Sequence, residues 1–326
     1  MKMFKTRVTE LFGIKYPIIQ GALGGGLATP ELVAAVSNAG GLGMITALNY
    51  GSAQELRDAI KKTRQLTDKP FAVNVTLLPT MRRIPYEEYF TAAIDEGVRI
   101  FETSGRLPEP YVKPVKDVGG KFLHKVGSAR HARSAERIGI DAVNVVCFES
   151  AGHPLPDDVA ATALIPACVD AVKIPVIQAG GVADGRGFVA ALALGAEGIM
   201  MGTRFAASKE CSFNPKLKEW FTQLTEKDTM LVHRAINNLE RVVRTPFTEK
   251  VLELEEKGTP AEQILPLIAG DIVRSAYETG ETANAMITAG QTVGLIHDIL
   301  SVKEIIDRII SQAEQILEKL DTMEKS

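Results

Sequence analysis

Val176-Ile-Gln-Ala-Gly-Gly-Val182 and Gly198-Ile-Met-Met-Gly-Thr-Arg-Phe205 decide the reading of this chain. Each is a short apolar run of strand-forming residues that ends in glycines or in Gly-Thr. A strand closing on a glycine-rich turn ahead of a helix is the repeating unit of a parallel sheet. Working back from these two runs, six more short β-rich apolar runs precede them: Pro17 to Gln20, Leu42 to Thr46, Phe71 to Thr76, Arg99 to Thr103, Lys121 to Val126 and Ala142 to Cys147. Helical patterns separate them. Ser52 with Glu55 predicts a capping box, Thr29-Pro30-Glu31 is a favourable helix entry, and Asp184 can cap the helix after the seventh strand. Eight strands in about 200 residues fit a TIM (β/α)8 barrel better than an open dinucleotide-binding sheet.

Beyond Phe205 the pattern changes. Pro215 to about Gly290 carries helical periodicity with hardly any β-rich runs, and Thr259-Pro260 with Glu262 reads as another capped helix start. The expectation is a helical insert after strand eight. From Ser301 to Leu320 a Ser301/Glu304 capping box leads one apolar face of Ile305, Ile306, Ile309, Ile310, Ala313, Ile316 and Leu317. The expected division is a barrel over 1–212, a helical subdomain over 213–290 forming part of the pocket, and a segment over 291–326 returning to the barrel.

Composition narrows the function classes. The 326 residues are 45% hydrophobic and 24% charged, with a net charge of −3, as in globular proteins. Without a basic block there is no electrostatic footprint for nucleic acid or for an anionic membrane. Three scattered cysteines, Cys147, Cys168 and Cys211, form no CxxC pair and read as reduced thiols. No secretory signal pattern and no uninterrupted apolar stretch of about 18 residues occurs, so the expected location is cytoplasmic. The expected partner is a small-molecule substrate, with a homodimer left open.

Barrels of this kind build their sites at the carboxyl ends of the strands, with phosphate after strands seven and eight. Gly180, Gly181, Gly202 and Thr203 occupy those places and together form a candidate phosphate cup, because glycine lets backbone N–H groups come close and a helix start adds partial positive charge. After strand one, Gly21, Ala22, Leu23 and Gly24 to Gly26 can lie flat beneath a planar ring. Asn74, at the end of strand three, offers either a polar contact to that ring or a turn-capping amide. Lys125, ending strand five, is either a surface lysine or a cation beside a reduced ring.

His153, in the loop after strand six, is the candidate proton-exchanging group. Asp157 and Asp158 can touch substrate, but they read first as caps of a helix beginning near Val159. Arg241 and Arg244 can meet an acidic substrate tail or simply be solvated. No pair of the five histidines has metal-site spacing.

Taken in order, Pro17-Ile-Ile-Gln-Gly21, Asn38-Ala-Gly-Gly-Leu-Gly43, Glu149-Ser-Ala-Gly-His153, Gln178-Ala-Gly-Gly181, Met201-Gly-Thr-Arg-Phe205 and Ala289-Gly-Gln291 resemble the nitronate monooxygenase family, which includes FMN-dependent enoyl-acyl-carrier-protein reductases. The resemblance covers nearly the whole chain. It implies FMN as cofactor, with Ala22, Leu23 and Gly24 lining the flavin, Asn74 and Gln178 bonding it, and Lys125 near its ring. Gly180, Gly181, Gly202 and Thr203 would hold its phosphate, Gln291 and its neighbours would close the pocket, and His153 would be catalytic. The activity implied is oxidation of alkyl nitronates with oxygen to a carbonyl compound and nitrite. The alternatives are an NAD(P)H-dependent reductase of an enoyl thioester or quinone, and a flavin-free phosphate-binding barrel. Pro154-Leu155-Pro156 after the histidine and Ala22-Leu23 after the first strand depart from the common family pattern, which alters the wall beside the reacting carbon.

Overall fold

A computed structural model describes residues 4–77, 84–235, 238–268 and 270–323. Eight parallel strands follow the expected places: β1 Ile18–Gln20, β2 Gly43–Thr46, β3 Phe71–Leu77, β4 Ile100–Gly105, β5 Lys121–Val126, β6 Ala142–Val146, β7 Val176–Ala179 and β8 Gly198–Met201. From β2 to β8 each pairs with the next in sequence, and β8 pairs with β1. Between β1 and β2 the ladder narrows to one bridge, Ile19 to Leu42. Gln20 extends that seam with its side chain: Nε2 donates to the Met44 carbonyl at 2.9 Å, and Oε1 accepts the Met44 N–H at 3.3 Å. A side-chain amide thus takes the place of a backbone rung, and the eight strands form a (β/α)8 barrel.

Side chains alternate along each strand. Ile19, Met44, Ala72, Ile100, Leu123, Ala142, Ile177 and Met200 fill the barrel, with Val8 and Phe12 of the first helix, Arg7–Phe12, closing its lower end. The other parity, including Val73, Phe101, Phe122, Val143, Val176 and Ile199, packs against the surrounding helices. The helix entry at Asp184 forms as expected; at Ser52 the hydroxyl accepts the Glu55 N–H, but the Glu55 carboxylate accepts from Gly51 rather than Ser52, so the box stays half made. Ser301 and Glu304 bond each other's backbone N–H at the head of Val302–Met323. That last helix buries Ile305, Ile306, Ile309, Ile310 and Ala313.

Three local expectations are corrected. The insert is not purely helical: β9 Thr229–Val232 and β10 Glu240–Val243 form an antiparallel pair inside it. The helix after β6 begins at Ala161, not near Val159, so neither Asp157 nor Asp158 caps it. Asp158 pairs with Arg234 at 2.9 Å, and the Glu149 carboxylate receives the Ala161 N–H. Thr259 caps nothing, since the helix Ala261–Ile264 follows Pro260 without a side-chain cap. All three cysteines are free and buried, and among the described residues no helix is long and apolar enough to cross a membrane.

Candidate active site

A cavity of about 780 Å³ opens at the carboxyl ends of the barrel strands, within the size range of sites for small molecules. Gly180, Gly202 and Thr203 line one end, Ala22, Leu23 and Gly24 the adjoining wall, and Lys125 and His153 the other side. The sequence thus brings together residues from the ends of β1, β5, β6, β7 and β8.

At the glycine end the backbone presents donors. Gly180 has φ +94°, and a Cβ there would lie 2.2 Å from the Ser150 hydroxyl oxygen, so only glycine fits this turn. Among the described residues, the N–H groups of Gly202 and Thr203, both in the lining, donate to no other residue. The Thr203 hydroxyl accepts the Gly290 N–H at 3.0 Å and retains its own proton to donate. The helix after β7 contributes no anion site, because Asp184 already receives the Arg186 and Gly187 N–H groups. The cup is therefore built from turn N–H groups and one hydroxyl. An anion such as a phosphate satisfies them. Along the adjoining wall, a Cβ on Gly24 would meet nothing within 4 Å, which leaves room for a flat group there. These donors and this wall fit a flavin mononucleotide.

His153 is solvent-accessible at the cavity wall. Its Nδ1 lies 3.0 Å from the Leu239 carbonyl oxygen. A carbonyl only accepts, so Nδ1 carries the proton and Nε2 of the neutral ring is the free base. The loop that carries His153 is held by the insert. Gly152 and Arg241 exchange backbone hydrogen bonds, at 2.6 Å and 3.3 Å. The Arg241 guanidinium, 3% exposed, donates to the Phe148 carbonyl and to Thr229 Oγ1 and lies 4.5 Å from the centre of the Phe148 ring. Arg241 is thus a clamp on the histidine loop rather than a contact for substrate. Arg244 pairs with Glu249 at the surface and stays outside the cavity.

Other expected contacts fall outside the lining. Gln178 shares the parity of Val176 and does not line the cavity, which Ala179 does; its Nε2 donates to the Gly180 carbonyl and its Oε1 is buried without a partner. Asn74 points into the barrel below the cavity, where Nδ2 donates to Glu102 at 2.7 Å. Gly181 and Gln291 sit behind the lining, which Gly180, Gly290 and Thr292 provide. Sequence reasoning missed Glu102, a charged residue at an inward position of β4, and the Leu239 carbonyl, which has no side-chain signature. His124 also borders the cavity, and burial lowers its pKa to about 4.

A model of the nitronate monooxygenase family matches residues 5–312 of this chain. The chain belongs to the nitronate monooxygenase family. It is similar, at 32% identity over 96% of this chain and 99% of the other, to a probable nitronate monooxygenase of Staphylococcus saprophyticus. A relative from Rhodococcus jostii, 30% identical over 99% of each chain, is a (3aS,4S,5R,7aS)-5-hydroxy-7a-methyl-1-oxo-octahydro-1H-indene-4-carboxyl-CoA dehydrogenase. Among solved structures, FabK from Thermotoga maritima superposes with a TM-score of 0.91 at 38% identity, covering 98% of this chain and 99% of that one. Membership makes the protein an oxidoreductase, which agrees with a cavity that joins an anion cup to a histidine.

Proposed function

We propose that this protein is an FMN-dependent nitronate monooxygenase that converts alkyl nitronates and oxygen to carbonyl compounds and nitrite. The observation that carries the reading is His153 Nδ1 donating to the Leu239 carbonyl, which leaves Nε2 free on a histidine that lines the same cavity as the glycine cup. The Gly202 and Thr203 N–H groups and the Thr203 hydroxyl would hold the FMN phosphate, and Ala22, Leu23 and Gly24 would support its ring. Bound FMN supplies the electron acceptance that no protein side chain offers.

The chain's own residues position and move protons. Neutral Nε2 of His153 takes the α-proton of a nitroalkane, and the protonated ring donates to a nitronate oxygen. Lys125 adds positive charge to the same cavity wall, which favours an anionic substrate. Pro154 is buried and Leu155 packs against Gly127, where an added Cβ would lie 2.3 Å from Leu155 Cγ, so this stretch forms a tight wall beside the histidine.

Reduction of an enoyl thioester is the second reading. The cavity extends past His153 to Leu107, His131 and Ser134, which gives room for a longer substrate, and the CoA-thioester relative points the same way. One assay separates the two. Nitrite release with oxygen consumption from propionate 3-nitronate, without NAD(P)H, is expected. Flavin reduction by NADPH or NADH, reoxidised by a crotonyl thioester and not accompanied by nitrite, would replace the first reading with the second.

A further inference from the structure

Directly beneath the cavity the apolar filling of the barrel is interrupted by one carboxylate. Glu102 of β4 is fully buried among Ile100, Leu123, Ala142 and Met200. Its Oε2 accepts from Asn74 Nδ2 at 2.7 Å, and its Oε1 from Asn144 Nδ2 at 2.8 Å. Lys125 Nζ, whose side chain reaches the cavity, lies 3.7 Å from Oε2. A buried ion pair stabilises a fold little better than apolar groups of the same size, so folding alone does not account for it.

The orientation of this network is set from the cavity wall. The Ser104 hydroxyl donates to Thr76 Oγ1 at 3.1 Å, and the Thr76 hydroxyl donates to Asn74 Oδ1 at 3.0 Å. With its oxygen occupied in this way, the Asn74 amide can only present its NH2 to Glu102. Ser104 and Thr76 both line the cavity. The amides on β3 and β6 fix the carboxylate, and the carboxylate in turn fixes Lys125, the one lysine of the cavity wall among the described residues.

We propose that Glu102 is a positioning residue: held by Asn74 and Asn144, it fixes the Lys125 ammonium at the cavity floor, where that cation faces the redox group and the anionic substrate. This rests on the reading of the cavity as an FMN site only for its effect on the flavin, and the test separates the two parts. The first measurement is the rate at which an amine-acylating reagent labels Lys125 in the purified protein, read by mass spectrometry of its peptide. E102Q should label several-fold faster than the unmutated protein. T76V, a milder change at the cavity wall that releases the Asn74 amide, should move the rate in the same sense if E102Q does not fold. Unchanged labelling in both variants overturns the proposal, and this arm decides the matter even in a protein that purifies without flavin.

The second measurement is the midpoint potential of the bound flavin. K125M should lower it, because a cation near the reduced ring is lost. Adding E102Q to K125M should produce no further shift, whereas E102Q alone should shift the potential. A carboxylate with a purely structural role would leave the potential unmoved in every E102Q variant, and that result contradicts the proposal.

Discussion

His124 shows how a single residue couples the site to stability. It faces the helix layer from β5, is 3% exposed, and its Nδ1 lies 2.8 Å from the Thr103 hydroxyl. Burial lowers its pKa from 6.5 to about 4, so between these values the unfolded chain binds a proton that the folded protein does not. Stability contributed by neutral His124 is complete above about pH 6.5 and is lost as the pH falls toward 4, by up to about 3 kcal/mol. Urea unfolding of H124Q should show a weaker pH dependence across that interval than the unmutated protein. At the same scale, the strand of a residue was legible but not the direction of its side chain. Gln178 and Asn74 lie on the correct strands, but alternation turns Gln178 toward the helices and draws Asn74 down to Glu102. Gln178 follows from parity with Val176, whereas Asn74 depends on a buried carboxylate one strand away, which no local pattern reveals.

At the scale of elements, the pair β9–β10 acts as a clamp on the His153 loop. Arg241 makes the contact through both its backbone and its side chain. R241A removes the donors to the Phe148 carbonyl and leaves the loop looser; a misplaced histidine should lower kcat/KM by about tenfold to a hundredfold with flavin still bound. Steady-state kinetics alongside flavin content checks this. The eight barrel strands were legible because each is a short β-rich apolar run and the runs alternate with helical patterns. The hairpin was not, since it lies within helical periodicity, and its pairing with Gly152 and Thr288 is set by tertiary contact. The closing helix Val302–Met323 was legible from its apolar stripe alone. Ile309, 1% exposed on that stripe, predicts that I309A destabilises the fold by about 2–5 kcal/mol in urea unfolding, with activity per folded molecule preserved.

For the whole molecule, the barrel supplies rigid strand ends, and the insert supplies what holds the histidine. Neither suffices alone: the glycine cup belongs to β7 and β8, whereas the carbonyl that sets the His153 tautomer, Leu239, precedes β10. The account stands on a flavin held between that cup and that imidazole. Anaerobic mixing of the purified protein with propionate 3-nitronate, following the flavin absorbance, tests it most directly. The account predicts that the unmutated protein bleaches and that H153A keeps its flavin but bleaches about a hundredfold more slowly. Bleaching at an undiminished rate in H153A, or a colourless protein with no flavin to follow, would contradict it.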